Sequence, residues 1–204
     1  MSQFANFSTH SSLIAITGAT GGLGKAFAVE CASRGWHLFL TDLQNQPLQQ
    51  LATSLARLYD VQVFTQTCDL TAMDARTALI EQIRTQGLRF WGLINVAGLD
   101  YEGLFYQQSR KQIHTILRLN IESVLDMTHS LFEFRDPHQS FRIINVSSLA
   151  AFYPMPIKAT YAASKRFLLD FSRALREELQ DLGATVTRSE ETRLNSSHRI
   201  RSRM

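Results

Sequence analysis

Cysteine and proline are scarce in this chain of 204 residues, which has two Cys and four Pro. Cys31 and Cys68 alone cannot form the disulfide framework that holds small secreted domains together. The sequence also lacks a cluster of Cys and His residues at zinc-ligand spacing, which argues against a structural zinc site. We therefore expect a fold held together by an apolar core, with no metal.

Long apolar runs are absent as well. No stretch reaches the ~18 apolar residues that a membrane span requires. Residues 1–12 contain no Lys or Arg followed by an apolar segment, as a secretory signal would. We therefore expect a cytoplasmic protein with no membrane partner.

An excess of charge is absent from most of the chain. Lys and Arg number 21 against 18 Asp and Glu, but residues 188–204 alone hold five Arg and two Glu, so residues 1–187 are neutral overall. A neutral chain lacks the main attraction for nucleic acid or anionic membranes. We expect no nucleic-acid partner.

Short apolar runs alternate with amphipathic segments along residues 13–181. The apolar runs predict strands at residues 13–17, 38–41, 61–66, 93–96 and 142–146. Helical spacing predicts helices from the first turn to about residue 34 and over residues 46–59, 72–86, 109–134 and 161–181. This alternation is typical of an α/β fold with a parallel sheet covered on both faces. Such sheets bind ligands beyond the carboxyl ends of their strands, where the strand order reverses.

A glycine-rich turn follows the first predicted strand and leads into a helix. Its sequence is Thr17-Gly18-Ala19-Thr20-Gly21-Gly22-Leu23-Gly24. Glycines let a backbone approach a pyrophosphate closely, and a helix N-terminus offers free N–H groups and a positive dipole end. A plain glycine-rich turn is the alternative, and the position between strand and helix disfavours it.

Two aspartates follow the next two predicted strands. Asp42 lies 18 residues beyond Gly24, near the ~20-residue offset at which a carboxylate binds an adenosine ribose diol. A carboxylate there repels a 2′-phosphate, and Leu43 is no arginine that would attract one, so this pair favours NAD over NADP. A turn cap is the alternative role for Asp42. Asp69 can bind the adenine edge or, equally well, cap the helix that follows it.

A tyrosine and a lysine share one face of the last predicted helix. Tyr161 and Lys165 are four residues apart, and Ser148 lies 13 residues before Tyr161, just past the fifth strand. A phenol titrates near pH ~10 and is a poor base at neutral pH. A nearby ammonium favours the phenolate, which makes the pair suited to acid/base chemistry. Alone, such a pair is also common on helix surfaces.

Together these residues resemble the classical short-chain dehydrogenases/reductases over residues 12–187. Residues 17–24 match the family's T-G-x-x-x-G-x-G cofactor turn, and residues 95–98 look like its N-N-A-G motif, with Val96 in place of the second Asn. The resemblance implies this cofactor-binding set: Gly18, Thr20, Gly22, Leu23, Gly24, Asp42, Asp69, Leu70, Asn95, Ala97, Gly98, Tyr161 and Lys165.

The resemblance also implies a catalytic set of four residues. Tyr161 is implied as the general acid/base, with Ser148 binding the reacting oxygen. Lys165 is implied to hold the nicotinamide ribose, and Asn120 to anchor a water on a proton path. Ser147 is the rival for the serine role, and its spacing from Tyr161 disfavours it.

The family's properties give the overall expectation. They imply a Rossmann-type doubly wound parallel sheet in three layers, lacking the family's last strands, in an NAD-dependent oxidoreductase that interconverts a secondary alcohol and a carbonyl. The helices at residues 109–134 and 161–181 are implied to form a homodimer or homotetramer. The alternatives are a non-catalytic dinucleotide sensor and an inert fragment of the enzyme.

The segment 188–204 departs from the family's pattern. Residues 188–198 match the in-frame translation of a common sequencing-library adapter without a mismatch, and residues 199–204 fit its index and constant bases. We therefore expect a domain at residues 1–187 and a non-native tail after it. A basic interaction tail is the alternative.

Overall fold

Six parallel strands form one sheet in residues 12–191, the part of the chain that this computed structural model describes. The strands are β1 (Leu13–Thr17), β2 (Leu38–Asp42), β3 (Val63–Thr67), β4 (Phe90–Asn95), β5 (Phe141–Ser148) and β6 (Ala184–Glu191). Their order across the sheet is β3-β2-β1-β4-β5-β6. The order therefore reverses between β1 and β4, where a doubly wound sheet opens a crevice.

Helices cover both faces of this sheet. The helices are α1 (Gly22–Ser33), α2 (Asn45–Tyr59), α3 (Met73–Thr85), α4 (Arg110–Leu117), α5 (Ser123–Glu133) and α6 (Ala159–Leu179). Ile14 and Ile16 of β1 pack with residues of α1 and α2, while Leu13 and Ala15 pack with residues of α3, α5 and α6. Because both faces are buried, the central strands β1, β2 and β4 are mostly apolar, whereas β3 at the edge of the sheet is half-buried and carries polar residues. The predicted three-layer α/β fold is confirmed.

The register of the sheet places three strand ends level with one another. Thr17 at the end of β1 pairs with Thr41 on one side and with Asn95 on the other. The residues that follow β1, β2 and β4 therefore leave the sheet side by side. This is the edge at which the sequence predicts the ligand site.

The helix predicted over residues 109–134 is interrupted. A capping box between Ser109 and Gln112 starts α4, and a π-helical turn, Arg118–Glu122, separates it from α5. Such turns widen a helix by one residue and occur often at functional sites. Here the turn carries Asn120, whose side chain is fully buried.

The last two strands run further than the sequence predicts. β5 ends at Ser148, so this serine belongs to the strand rather than following it. β6 passes through the expected boundary at residue 187, and its residues 188–191 pair with residues 145–148 of β5. This pairing uses main-chain groups and needs no particular side chains, so the non-native origin of residues 188–204 stays a prediction. Residues 1–11 and 192–204 lie outside the described part of the chain.

A chain of buried hydrogen bonds links the sheet to α5 and α6. The Asn95 Nδ2 donates to Thr128 Oγ1 at 3.1 Å and to Asn145 Oδ1 at 2.9 Å. The Asn145 Nδ2 in turn donates to Ser172 Oγ at 3.0 Å. All four side chains are buried, so each needs these partners in place of water.

Replacement of Asn145 tests whether these buried hydrogen bonds stabilise the fold. We expect Asn145→Ala to lower the free energy of unfolding by about 2 kcal/mol or more. The substitution removes two buried hydrogen bonds and leaves the side chains of Asn95 and Ser172 each short of one partner. Urea unfolding followed by circular dichroism measures this loss. Arg142→Ala, on an exposed position of the same strand, is the control and should change stability by less than about 0.5 kcal/mol. Equal losses in the two variants would contradict the prediction.

Candidate functional site

A cleft of about 870 Å³ lies at the carboxyl ends of β1 to β4. Its walls are the segments that follow these four strands, together with one side of α4: Gly18, Thr20, Gly21, Gly22, Leu23, Gly24, Asp42, Leu43, Gln44, Cys68, Asp69, Leu70, Thr71, Val96, Ala97, Gly98, Leu99, Tyr101, Lys111, Thr115 and Leu119. The predicted cofactor set lies on these walls, apart from Asn95, Tyr161 and Lys165. The wall from α4 is the part that sequence reasoning missed.

The glycine turn packs directly against the segment after β4. A Cβ on Gly18, whose φ is +64°, would lie 2.8 Å from the Ala97 Cα, so this position excludes any side chain. The Thr17 Oγ1 accepts hydrogen bonds from the Val96 and Ala97 N–H groups at 3.1 and 3.2 Å. The turn and the β4 segment are thereby fixed to each other.

The two other glycines of the motif differ in what surrounds them. A Cβ on Gly24 would lie 2.1 Å from the Gly18 carbonyl oxygen, so α1 packs against its own preceding turn. A Cβ on Gly22 would meet nothing within 4 Å and would occupy the open cleft. This cradle at the N-terminus of α1 fits a pyrophosphate, whose oxygens accept from free backbone N–H groups.

The two predicted aspartates lie on the cleft wall. The Asp42 Oδ2 accepts from the Thr20 N–H at 2.8 Å, and its Oδ1 accepts from the Leu43 N–H at 2.7 Å. Asp42 therefore ties the end of β2 to the glycine turn. The Asp69 carboxylate accepts from the Thr71 N–H and hydroxyl at 2.9 and 2.7 Å. Because the N-cap of α3 is Ala72, the alternative in which Asp69 caps this helix is wrong.

Asn95 lies beneath the cleft rather than on its wall. Its side chain is buried and directed toward Thr128 and Asn145. Because successive strand residues point to opposite sides of a sheet, its side chain faces the helix layer of α5. The geometry gives Asn95 a role in holding β4, while Ala97 and Gly98 of this motif line the cleft.

Asn120 and Lys165 flank the end of the cleft at Gly98. A Cβ on Gly98 would lie 3.3 Å from both the Asn120 Oδ1 and the Lys165 Nζ. The Asn120 Oδ1 accepts from the Leu99 N–H at 2.9 Å, and its Nδ2 donates to the Leu99 carbonyl at 3.0 Å. Two of the predicted catalytic residues, distant in sequence, thus both lie against Gly98 on the cleft wall.

Lys165 also lies beside Tyr161 on α6. Its Nζ donates to the Val146 carbonyl at 2.9 Å and lies 5.7 Å from the centre of the Tyr161 ring. Lys165 is 3% exposed and Tyr161 is 8% exposed. A cation in so dry a place acts strongly on its neighbours, because little water screens it. The predicted sharing of one helix face is confirmed by this contact.

The two neighbouring serines of β5 have different partners. The Ser147 hydroxyl is buried and donates to the Lys165 carbonyl at 3.1 Å, which fixes α6 to the sheet. The Ser148 Oγ accepts from the Ala150 N–H at 3.2 Å, at the start of the segment that leads toward Tyr161. Ser147 therefore has a structural contact. Ser148 remains the candidate for the serine that binds the reacting oxygen.

Ser164 is a site residue that sequence reasoning missed. Its hydroxyl accepts from the Asn120 Nδ2 at 3.1 Å and donates to the Tyr161 carbonyl at 2.7 Å. Ser164 thus joins the π turn to α6. Its position three residues after Tyr161, on the same helix face, was the available signal.

An ion pair joins the segment after β4 to the start of α6. The Lys158 Nζ donates to Asp100 at 2.6 Å and lies 3.5 Å from Glu102. The hydrogen bond to Asp100 raises the pKa of Lys158. Lys158 directly precedes the helix that carries Tyr161.

The described residues contain neither a metal site nor a membrane helix. In residues 12–191 no three His, Cys, Asp or Glu side chains are grouped so as to hold a metal ion. Over the same residues, no helix combines the length and apolarity needed to cross a bilayer.

Comparisons with known proteins agree on one family. A model of the short chain dehydrogenase family matches residues 12–191. The very-long-chain 3-oxoacyl-CoA reductase of Anas platyrhynchos is 33% identical over 177 residues, which are 84% of this chain and 56% of the relative. The 17-beta-hydroxysteroid dehydrogenase type 3 of Homo sapiens is 33% identical over 165 residues, which are 80% of this chain and 53% of the relative. The chain thus spans about half the length of these curated relatives.

Solved structures show the same similarity. A short-chain dehydrogenase from Sphingobium yanoikuyae in complex with NADPH superposes with a TM-score of 0.81 at 29% identity, over 88% of this chain and 70% of that one. A bulky-bulky ketone specific alcohol dehydrogenase from Comamonas testosteroni has a TM-score of 0.81 at 27% identity, over 91% and 75% of the two chains.

The glycine cradle gives a paired test of packing against binding. We expect Gly24→Ala to lower the free energy of unfolding by about 2 kcal/mol, because its methyl group would overlap the Gly18 carbonyl. We expect Gly22→Ala to keep its stability and to weaken NADH binding several-fold, because its methyl group would enter the cleft. Urea unfolding and NADH fluorescence titration measure the two effects. The same loss of stability in both variants would refute this difference.

Proposed function

Because the chain belongs to the short-chain dehydrogenase family, we propose that it is an NAD-dependent oxidoreductase that interconverts a secondary alcohol and a ketone or other carbonyl. The observation that carries the proposal is the meeting of Asn120 and Lys165 at Gly98, with Lys165 beside Tyr161. A nucleotide cleft that ends at an acid/base group is what hydride transfer requires. A protein that only senses a dinucleotide has no chemical need for this arrangement.

Tyr161 is the general acid/base in this proposal. During alcohol oxidation its phenolate takes the hydroxyl proton, and during carbonyl reduction its phenol returns that proton. The buried ammonium of Lys165 stabilises the phenolate. Ser148 donates a hydrogen bond to the reacting oxygen and stabilises the charge that develops there. The nicotinamide, when bound, supplies or accepts the hydride at the substrate carbon.

Asn120 anchors a water on the proton path, and Lys165 binds the nicotinamide ribose of the cofactor. Asn120 is fixed by the Leu99 main chain and by Ser164. Because its amide cannot move without breaking these bonds, it suits the role of holding an ordered water beside Lys165. Protons then pass from Tyr161 through Lys165 toward solvent.

The charge at the end of β2 supports NAD over NADP. The half-buried Asp42 carboxylate lies on the cleft wall, and the next residue, Leu43, is exposed and uncharged. A carboxylate accepts from the ribose hydroxyls of NAD and repels the 2′-phosphate of NADP. The Sphingobium neighbour was solved with NADPH, so this preference is the part of the proposal that most needs a direct test.

Exposed apolar side chains on the segments after β4 and before α6 support an apolar substrate. Phe105, Phe152, Tyr153 and Met155 are exposed on these two segments, which the Lys158 ion pair joins. Solvent-exposed aromatic and thioether side chains favour a hydrophobic partner. Three of the similar proteins are named for substrates of this character, namely a very-long-chain acyl group, a steroid and a bulky ketone. We propose a bulky secondary alcohol or ketone.

Assembly and location complete the proposal. Phe167 stacks on Phe171 along α6, with ring centres 5.9 Å apart, and remains 38% exposed. An exposed aromatic pair on a long helix suits contact with a second copy of the chain. We propose a cytoplasmic homodimer or homotetramer.

Removal of one hydroxyl tests the acid/base role. We expect Tyr161→Phe to lower kcat at least about 100-fold, because no other group can move the proton, while NADH affinity stays within about twofold. Stopped-flow absorbance at the nicotinamide band and NADH titration measure the two quantities. Tyr59→Phe, the same change at the C-terminal end of α2 and outside the cleft walls, is the control and should retain wild-type turnover. Equal turnover in the two variants would remove Tyr161 from the mechanism.

Loss of one charge tests the cofactor preference. Asp42→Asn keeps an acceptor for the Thr20 N–H but no longer repels a phosphate. We expect the ratio of kcat/KM for NAD to that for NADP to fall about tenfold or more, since a charged hydrogen bond contributes about 1.5–3 kcal/mol. Asp74→Asn, an exposed carboxylate on α3, is the control. An unchanged ratio in Asp42→Asn would show that this carboxylate does not select the cofactor.

A further inference from the structure

Arg76 is a buried cation that the mechanism does not use. Among the described residues only two Lys or Arg side chains are buried, Lys165 at 3% exposure and Arg76 at 4%. Lys165 lies at the catalytic end of the cleft. Arg76 lies on α3, behind the wall that Leu70 contributes to the other end.

The guanidinium of Arg76 binds partners on two separate elements. Its Nη1 donates to the Leu70 carbonyl at 2.7 Å. Its Nε donates to the Asp126 Oδ2 at 2.5 Å, and its Nη2 lies 4.0 Å from the Glu122 carboxylate. Leu70 belongs to the cleft wall, Glu122 ends the π turn that carries Asn120, and Asp126 lies in the first turn of α5.

A buried charge at Arg76 is unfavourable compared with an apolar side chain in the same space between α3 and α5. Burial of a guanidinium costs several kcal/mol of hydration, which an apolar side chain between α3 and α5 would avoid. Its partners are not buried with it, because Asp126 is 39% and Glu122 55% exposed. What the guanidinium adds is direction, because its planar N–H groups hold a carbonyl and a carboxylate at fixed angles.

We propose that Arg76 is a positioning residue that couples the adenosine end of the cleft to the turn that carries Asn120. This proposal rests on the proposed function, since it takes Leu70 as part of the cleft wall that binds the adenosine of the cofactor. Through one rigid guanidinium, Arg76 fixes the position of the Leu70 carbonyl relative to the start of α5. Its removal therefore weakens binding of the adenosine half of the cofactor and also slows the reaction at the other end of the cleft.

Binding of a half-ligand separates coupling from general stability. ADP-ribose carries the adenosine, the pyrophosphate and the second ribose but no nicotinamide, so its affinity reports cofactor binding apart from the nicotinamide and the chemical step. For Arg76→Met in the full chain, we expect an ADP-ribose Kd about tenfold higher, within the range of coupling energies between packed elements, and a several-fold lower kcat. Arg84→Met, at an exposed position of the same helix, is the control and should leave both values unchanged. Isothermal titration and steady-state rates measure them.

A double variant excludes a merely structural role. Asp126→Leu alone should be the least stable variant, because it leaves a buried guanidinium without its main partner. Arg76→Met combined with Asp126→Leu removes both charges and should recover most of the melting temperature, while the ADP-ribose Kd and kcat stay impaired.

The outcomes separate this proposal from the one on which it rests. Wild-type affinity and kcat in Arg76→Met, or their recovery together with stability in the double variant, would overturn the coupling alone. A wild-type chain that binds neither ADP-ribose nor NADH would overturn the proposed function, and the coupling with it. If the wild-type chain binds both but turns over no alcohol or ketone, the oxidoreductase proposal fails, and the Kd values still decide the role of Arg76.

Discussion

The contact between the glycine turn after β1 and the segment after β4 is the constraint on which the rest of the site depends. Gly18 lies so close to Ala97 that a single methyl group would not fit, and the Thr17 hydroxyl binds two consecutive amides of the same segment. This contact brings Gly98 to the end of the cleft. Since Gly98 also lies against Asn120 and Lys165, one close approach of two backbones sets the distance from the glycine turn to these two side chains.

Local patterns predict most of the fold, and residues that act across space show where such patterns stop. The apolar strands, the glycine turn and the Tyr161/Lys165 face follow from periodicity and from glycine, which are properties of neighbours in sequence. The π turn at Asn120 leaves no trace in the apolar spacing, because the pattern continues through it. The burial of Asn95 depends on Asn145, 50 residues away. Ser164 depends in the same way on the π turn, so its role follows from the packing of two helices and not from its motif.

Polar groups inside the protein are concentrated on the side of the sheet that holds α5 and α6. Two sets of buried hydrogen bonds connect separate elements there. One runs from Thr128 through Asn95 and Asn145 to Ser172, and the other joins Asn120 to Ser164. Apolar packing alone would allow these elements to shift against each other. Hydrogen bonds have direction and leave a large penalty when broken in a dry interior, so they fix a register that dispersion contacts do not. The helix with Tyr161 and Lys165 is therefore held at a defined height above the strand ends.

The π turn also sets the rotational phase of one long helix. Lys111 and Thr115 before it and Leu119 within it line the cleft, and Val124, Met127 and Leu131 after it are buried in the protein. Each residue of an α-helix advances the direction of its side chains by about 100°. The extra residue in the turn changes the direction of every later side chain by about that angle. Val124, Met127 and Leu131 therefore owe their places in the core to the turn: with one residue fewer, the same helix axis would point them about 100° away from where they now pack.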